Sequence, residues 1–265
     1  MPFLLRSILW LLLALAMLLY INISAAHLPT PALAAIWLAL WIPIAHGLWT
    51  RARAHRSAWL STYLHPDGRW HDRLSGGPVM ALVQGLLAGG FALALMVGAA
   101  RLEGVIEWRL LLTGLPLLVV LRALIQRRLS DHVNPRLLDM FSWRIAMGTT
   151  GLLLLAGFTL SALWRGQPDY STIQLGEAIW RAIAEPEAKS DALLGLLQLG
   201  AAKDAFGTWL GQRLIPSLGA PWFQFAGWSL LFAANGLFIW AWMNLCSGLL
   251  GLVGERRIPT LETAQ

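Results

Sequence analysis

The densest set of side chains able to do chemistry lies in His65-Pro-Asp-Gly-Arg-Trp-His71-Asp72. The imidazoles of His65 and His71 and the carboxylates of Asp67 and Asp72 would suit zinc, a harder cation or proton transfer. Their spacing matches no metal-ligand pattern, and Pro66-Asp67-Gly68 is equally a turn signal. No P-loop, nucleophile-elbow, HExxH or dinucleotide-binding motif stands in a supporting strand–turn–helix context. No catalytic, cofactor-binding or metal-ligating residue is therefore assigned, and no cofactor is expected.

The remaining reactive residues fare no better. His46 is the one histidine well inside an apolar run. A b-type haem between spans would need a second axial imidazole, and neither His27, at the opposite end of that run, nor His55, beyond it, is placed to supply one. Cys246 is the single cysteine, which excludes an intrachain disulfide and any CxxC site. Arg73-Leu-Ser75 and Arg128-Leu-Ser130 repeat one another, but three residues are too few to mark a duplicated unit.

The elements that would position these groups are set by composition. The chain is 57% hydrophobic and 13% charged, about half the charge that a soluble surface carries. Apolar runs of about 18 residues or more recur, the length that crosses a hydrocarbon core about 30 Å thick. They lack the apolar–polar alternation of barrel strands. The fold class is all-α: a polytopic membrane helix bundle of about six transmembrane helices. The spans are read at residues 8–24, 32–49, 79–100, 110–125, 145–164 and within 223–253. A signal peptide is the rival reading of the first, with Arg6 before the apolar core and Ser24-Ala25-Ala26 as a cleavage site. Pro43 should bend the second span, and Gly114 with Pro116 the fourth. Gly85 and Gly89 form a small-residue face expected to pack closely on a neighbouring span. Gln84, Thr159, Asn235 and Asn244 are the embedded polar groups, with interhelical hydrogen bonding as their role. No Asp or Glu falls at the centre of a span, which weakens ion-coupled transport.

Charge placement orients the bundle. Basic loops at 51–78 and 126–144 carry nine arginines between them, whereas the turns after the first and third spans carry no excess. Basic residues collect in cytoplasmic loops, so both termini are expected in the cytoplasm of a bacterial inner membrane. The same rule accounts for the net charge of +6 without nucleic acid as a partner. Three regions result: a five-span region at 1–164, an extracytoplasmic helical segment at 165–221, and the sixth span with its tail at 222–265.

The 165–221 segment reads as three short helices. Ser171-Thr-Ile-Gln174 has a capping-box pattern, Ser190 suits an N-cap for a helix to about Ala201, and Asp204 opens a third. Leu175, Ala178, Ile179, Ala182 and Ile183 form one apolar stripe, and Phe206, Trp209, Leu210 and Leu214 another; Leu175, Ile179, Ile183, Phe206, Trp209 and Leu210 are the partner-binding candidates. About 55 residues make a marginal independent core. The stripes are therefore expected either to pack on the spans and on one another or to bind partners: the bilayer, or other membrane or periplasmic proteins. The expected function is a non-catalytic inner-membrane subunit or scaffold of an envelope assembly. The alternatives are a small transporter or lipid-handling protein with a cavity between Gly- and Pro-interrupted spans, and a membrane enzyme using the His65–Asp72 cluster.

Overall fold

A computed structural model describes residues 2–60, 62–63, 76–133, 135–166 and 168–255. The His65–Asp72 cluster lies outside these residues. The described chain is all-helical. Five long helices come first: α1 (Pro2–Ser24), α2 (Thr30–Leu60), α3 (Pro78–Ala100), α4 (Val105–Leu129) and α5 (Pro135–Arg165). Two shorter ones follow, α6 (Leu175–Ala184) and α7 (Asp191–Trp209). A π-helical turn (Leu210–Leu214) and a short α8 (Ile215–Ser217) lead into α9 (Pro221–Glu255).

Four segments are long and apolar enough to cross a membrane: Thr30–Ser57, Pro78–Ala100, Val105–Leu129 and Phe141–Ala162. Pro221–Ala234 and Gly236–Leu252, bent by 41° at Asn235, make a fifth if they cross as one. Ile8–Ser24 is a shorter apolar helix. Apolar side chains need no particular neighbour in lipid, so length and composition carry these elements. Helices α2, α4 and α5 overrun the apolar limits because a hydrogen-bonded helix does not end where lipid does. Arg51, Arg53 and Arg56 are thus helical, on the last turns of α2, which runs on from the apolar segment without a break. Both prolines expected to bend spans, Pro43 and Pro116, lie inside continuous helices.

Helices alternate in direction. One end of the bundle is capped by α6, α7 and the π turn. The opposite, basic end carries the start of α1, the C-terminal turns of α2, α4 and α9, and the start of α5. The lower half of α9 is the axis of the bundle. Every residue from Ala241 to Leu250 is buried, and α1, α2, α3 and α5 all pack against α9. Helix α4 packs chiefly on α5, with Leu111, Leu115 and Leu118 turned into the core. The crossing of α9 over α2 is a backbone contact. A Cβ added at Gly248 would lie 2.0 Å from the carbonyl oxygen of Pro43, and one at Gly47 would lie 2.7 Å from the Cα of Gly248. Phe238, one turn below the bend, rests on Gly98 of α3 and tilts against Phe158 of α5, their ring centres 6.0 Å apart.

The segment between α5 and α9 differs from its sequence reading. Helix α6 begins at Leu175 with Gln174 at its N-cap, and no side chain caps it. Ser171 instead donates its N–H to Asp169 Oδ1 at 2.9 Å. The hydrogen bonds from Ser171, side chain first and backbone second, hold the Asp169 carboxyl below its ordinary value. The Asp169–Ser171 turn thus uses the serine that the capping box needed. The two helices expected after Ser190 are one, Asp191–Trp209. Lys203 and Asp204 interrupt the apolar run, but neither breaks a helix. Glu177 and Arg181, one turn apart, pair at 2.5 Å.

Candidate functional site

At the capped end, polar contacts seat the α6–α7 unit on the bundle. Ser190 occupies the N-cap position of α7, yet its hydroxyl lies 3.0 Å from that of Thr30 at the start of α2. Lys189 donates its N–H to the carbonyl of Ala26 at 3.0 Å. Asn22 reaches from α1 to the carbonyls of Ala99 and Leu102, at 2.9 and 2.8 Å. Arg101, just past α3, pairs with Asp204 of α7 at 2.6 Å. Between these ties Leu193 and Leu197 of α7 enter the main core, and Gly200 allows Val97 and Arg101 to approach.

A second, smaller core joins α6 to α7 through Tyr170, Ala178, Ala182, Ala201 and Ala205. The π turn fastens the 168–173 strap across it. Gln212 accepts the Tyr170 N–H at 2.7 Å and donates to the Pro168 carbonyl at 2.9 Å. The Ile173 carbonyl accepts both Trp209 Nε1, at 3.1 Å, and Arg213, at 2.9 Å. Trp209, Gln212 and Arg213, spaced at i, i+3 and i+4, all face this strap.

The six partner-binding candidates separate within this arrangement. Leu175, Ile179 and Ile183 are half-buried on α6, because Ala178 and Ala182 form the face that goes inward. Trp209 and Leu210 are also half-buried, with the Trp209 N–H already used. Phe206 remains 43% exposed. The most exposed apolar side chains of this unit were not candidates: Trp180, 70% exposed, and Leu199, 69% exposed. Both stand opposite the alanine faces, and the i,i+4 spacing of Ala178–Ala182 and Ala201–Ala205 was the signal that could have found them.

The two packing glycines meet tryptophans. Trp41 Nε1 donates to the carbonyl of Gly85 at 2.8 Å and Trp37 Nε1 to that of Gly89 at 3.2 Å. The indoles stack on one another, with centres 6.0 Å apart. A Cβ at Gly89 would stand 3.3 Å from the Trp37 ring. Gly85 and Gly89 therefore seat two indole edges one helical turn apart and leave their carbonyls open as acceptors.

Two polar groups lie deeper than the sequence suggested. Glu107, in the first turn of α4, is 2% exposed. It accepts the Ser161 hydroxyl at 2.6 Å and pairs with Arg165, which also lies 3.7 Å from Glu103. This joins α4 to α5 near the capped end. At the basic end Arg51 turns back into the bundle. It donates to the Gly47 carbonyl at 2.8 Å, to Asn244 Oδ1 at 2.6 Å and to Met147 Sδ at 3.2 Å. Asn244 in turn donates to the Trp240 carbonyl at 2.8 Å. Arg122 of α4 lies 4.3 Å over the ring of Trp143.

Other placements bear on the remaining readings. His46 is half-buried on α2, and no three His, Cys, Asp or Glu residues among those described are grouped to hold a metal. An apolar groove of about 360 Å³ runs between α5 and α9, bounded by Gly148, Gly151, Leu155, Ala233, Gly236 and Trp240. No protein-family model, curated protein or solved structure matches the chain.

Proposed function

We propose that the chain is a non-catalytic, multi-pass subunit or scaffold of a bacterial inner-membrane assembly, docking its partners through the α6–α7 unit. The observation that supports this is how firmly that unit is seated while apolar side chains still project from it. Thr30–Ser190, Lys189–Ala26 and Arg101–Asp204 hold it to the start of α2, the turn before it and the end of α3, yet Trp180, Leu199 and Phe206 stay exposed. A pre-formed surface loses little conformational freedom on binding, and exposed aromatic anchors are the side chains that interfaces favour. Both ends of the described chain lie at the arginine-rich end, which supports a cytoplasmic location for that end under the positive-inside rule. In this reading Ile8–Ser24 and the bent α9 also cross, making six spans.

Co-purification of native partners with Trp180→Glu and Phe206→Glu tests the proposal. Both side chains are exposed, so the substitutions leave the helices intact. Loss of the partners from folded, membrane-inserted protein is the expected result. Retention of every partner by both variants overturns the docking face.

The groove between α5 and α9 favours a second reading, lipid handling. It is apolar, falls at the α9 bend and has a volume within the range of ligand sites. Transport along the bundle axis gains no such support, since the lower half of α9 fills that axis.

A further inference from the structure

Arg51 carries its charge inside the bundle, bonded to neutral groups. Among the described residues no Asp or Glu ion-pairs with it. Its three hydrogen bonds go to a backbone carbonyl, an amide oxygen and a thioether, the last a weak acceptor. A guanidinium has five N–H donors in a planar fork, so one N–H on each terminal nitrogen remains after these contacts. An ionisable side chain within a membrane-crossing helix marks a site by default, and its partner must be identified.

The surroundings indicate the partner's sign. Met147, under Arg51, and Trp143, under Arg122, are one turn apart on α5, a rise of about 6 Å. Two guanidinium groups from α2 and α4 thus bear on adjacent turns of one helix. Arg51 could have extended toward water, as arginines near helix ends do. Instead Gly47 and Asn244 hold its fork in place. A pre-oriented planar fork with no carboxylate partner among the described residues matches the two-pronged hydrogen bonding of a phosphate oxyanion.

We infer that Arg51, fixed by Gly47 and Asn244, binds a phosphate-bearing anion at the basic end of the bundle, either a negatively charged lipid headgroup or free phosphate.

The full-length protein is placed in nanodiscs of phosphatidylcholine alone, of phosphatidylcholine mixed with phosphatidylglycerol, and of phosphatidylcholine with inorganic phosphate at matched ionic strength. Phosphatidylglycerol should raise the melting midpoint of the wild type by roughly 3–6 °C. Arg51→Met and Arg51→Gln should lose that rise while melting no lower than wild type in phosphatidylcholine, because a buried charge has been removed. A rise with phosphatidylglycerol alone assigns the site to lipid, and an equal rise with inorganic phosphate assigns it to the free ion. Native mass spectrometry of the wild type gives a readout independent of the variants: phosphatidylglycerol should be retained in preference to phosphatidylcholine. The inference is overturned if wild type and both variants gain equally. It is also overturned if neither anion stabilises the wild type and no anionic lipid is retained.

Discussion

Replacing Gly248 with alanine should be the most damaging single-methyl change in the bundle. The added Cβ would sit 2.0 Å from the Pro43 carbonyl oxygen and 2.7 Å from its carbon, where ordinary contact starts at 3.4 Å. The shortfall is roughly 1.4 Å, and no side-chain rotation relieves it because both partners are backbone. Helix α9 must move off α2. An opening of even 0.5–1 Å forfeits about a quarter to a half of each facing dispersion contact. The contacts at risk belong to Trp242, Met243, Leu245, Cys246 and Leu249, all buried. Overpacking a core costs about 1–3 kcal/mol and more where backbone shifts, so about 3 kcal/mol or more is expected, a fall in melting midpoint of about 6 °C or more. Gly251, one turn on, is the control: nothing lies within 4 Å of its Cβ position. Gly251→Ala should be neutral or stabilise by up to about 1 kcal/mol, the gain in helix propensity. The assay is thermal unfolding of purified protein in one detergent, followed by loss of helical circular dichroism. If Gly248→Ala melts within a degree of wild type, or Gly251→Ala is equally harmful, the α2–α9 crossing is wrong.

Gly89→Leu should displace the Trp37 ring and break its hydrogen bond to the Gly89 carbonyl. The expected cost is about 2–4 kcal/mol, and unchanged detergent melting would place that face toward lipid. For the Glu107–Arg165 pair, a double-mutant cycle of Glu107→Ala and Arg165→Ala should give a coupling of about 1–3 kcal/mol, reduced from a fully buried pair because Arg165 is 41% exposed. Additive losses would show that the two side chains do not interact. Topology is read by placing single cysteines at Ser130 and Ser171, both exposed. Impermeant thiol reagents should label the Ser171 site in intact spheroplasts and the Ser130 site only after the inner face is opened, and outside labelling at Ser130 would reverse the orientation. Ser190 is unsuitable for this purpose, being 3% exposed and bonded to Thr30.

Much of the helix layout was legible because lipid length and proline turns leave clear marks. The end of α1 at Ser24, before His27-Leu-Pro-Thr-Pro31, and the limits of α3 follow from those signals. The packing was not legible, since an apolar side chain facing lipid and one facing protein look alike in sequence. Nothing separates Leu245, buried on the axis, from Leu230, 71% exposed on the same helix. Glycines show the same ambiguity. Gly85 and Gly89 drew notice through their spacing, while Gly47 and Gly248, where two backbones touch, have no local pattern. The bend in α9 did have a signal, Asn235-Gly236, a turn-forming pair hidden within an apolar window. At the capped end the stripes were visible, but which side of each helix would be covered depended on alanine contacts between α6 and α7 that lie some twenty residues apart.

The placement of α9 has a consequence for biogenesis. The helix at the centre of the bundle is made after every helix that surrounds it. At ribosomal rates of about 5–20 residues per second, its 35 residues take about 2–7 s to emerge. In the proposed six-span reading, α1 to α5 stand during that interval around an unfilled axis, with Gly47, Gly98 and Gly151 turned to lipid or to one another. A nascent chain halted before Pro221 would therefore be inserted yet lack its keystone, and such an open ring of helices is what a membrane protease or insertase would encounter. Arrival of α9 closes the ring, so the bundle around it can complete its fold only once that helix has emerged.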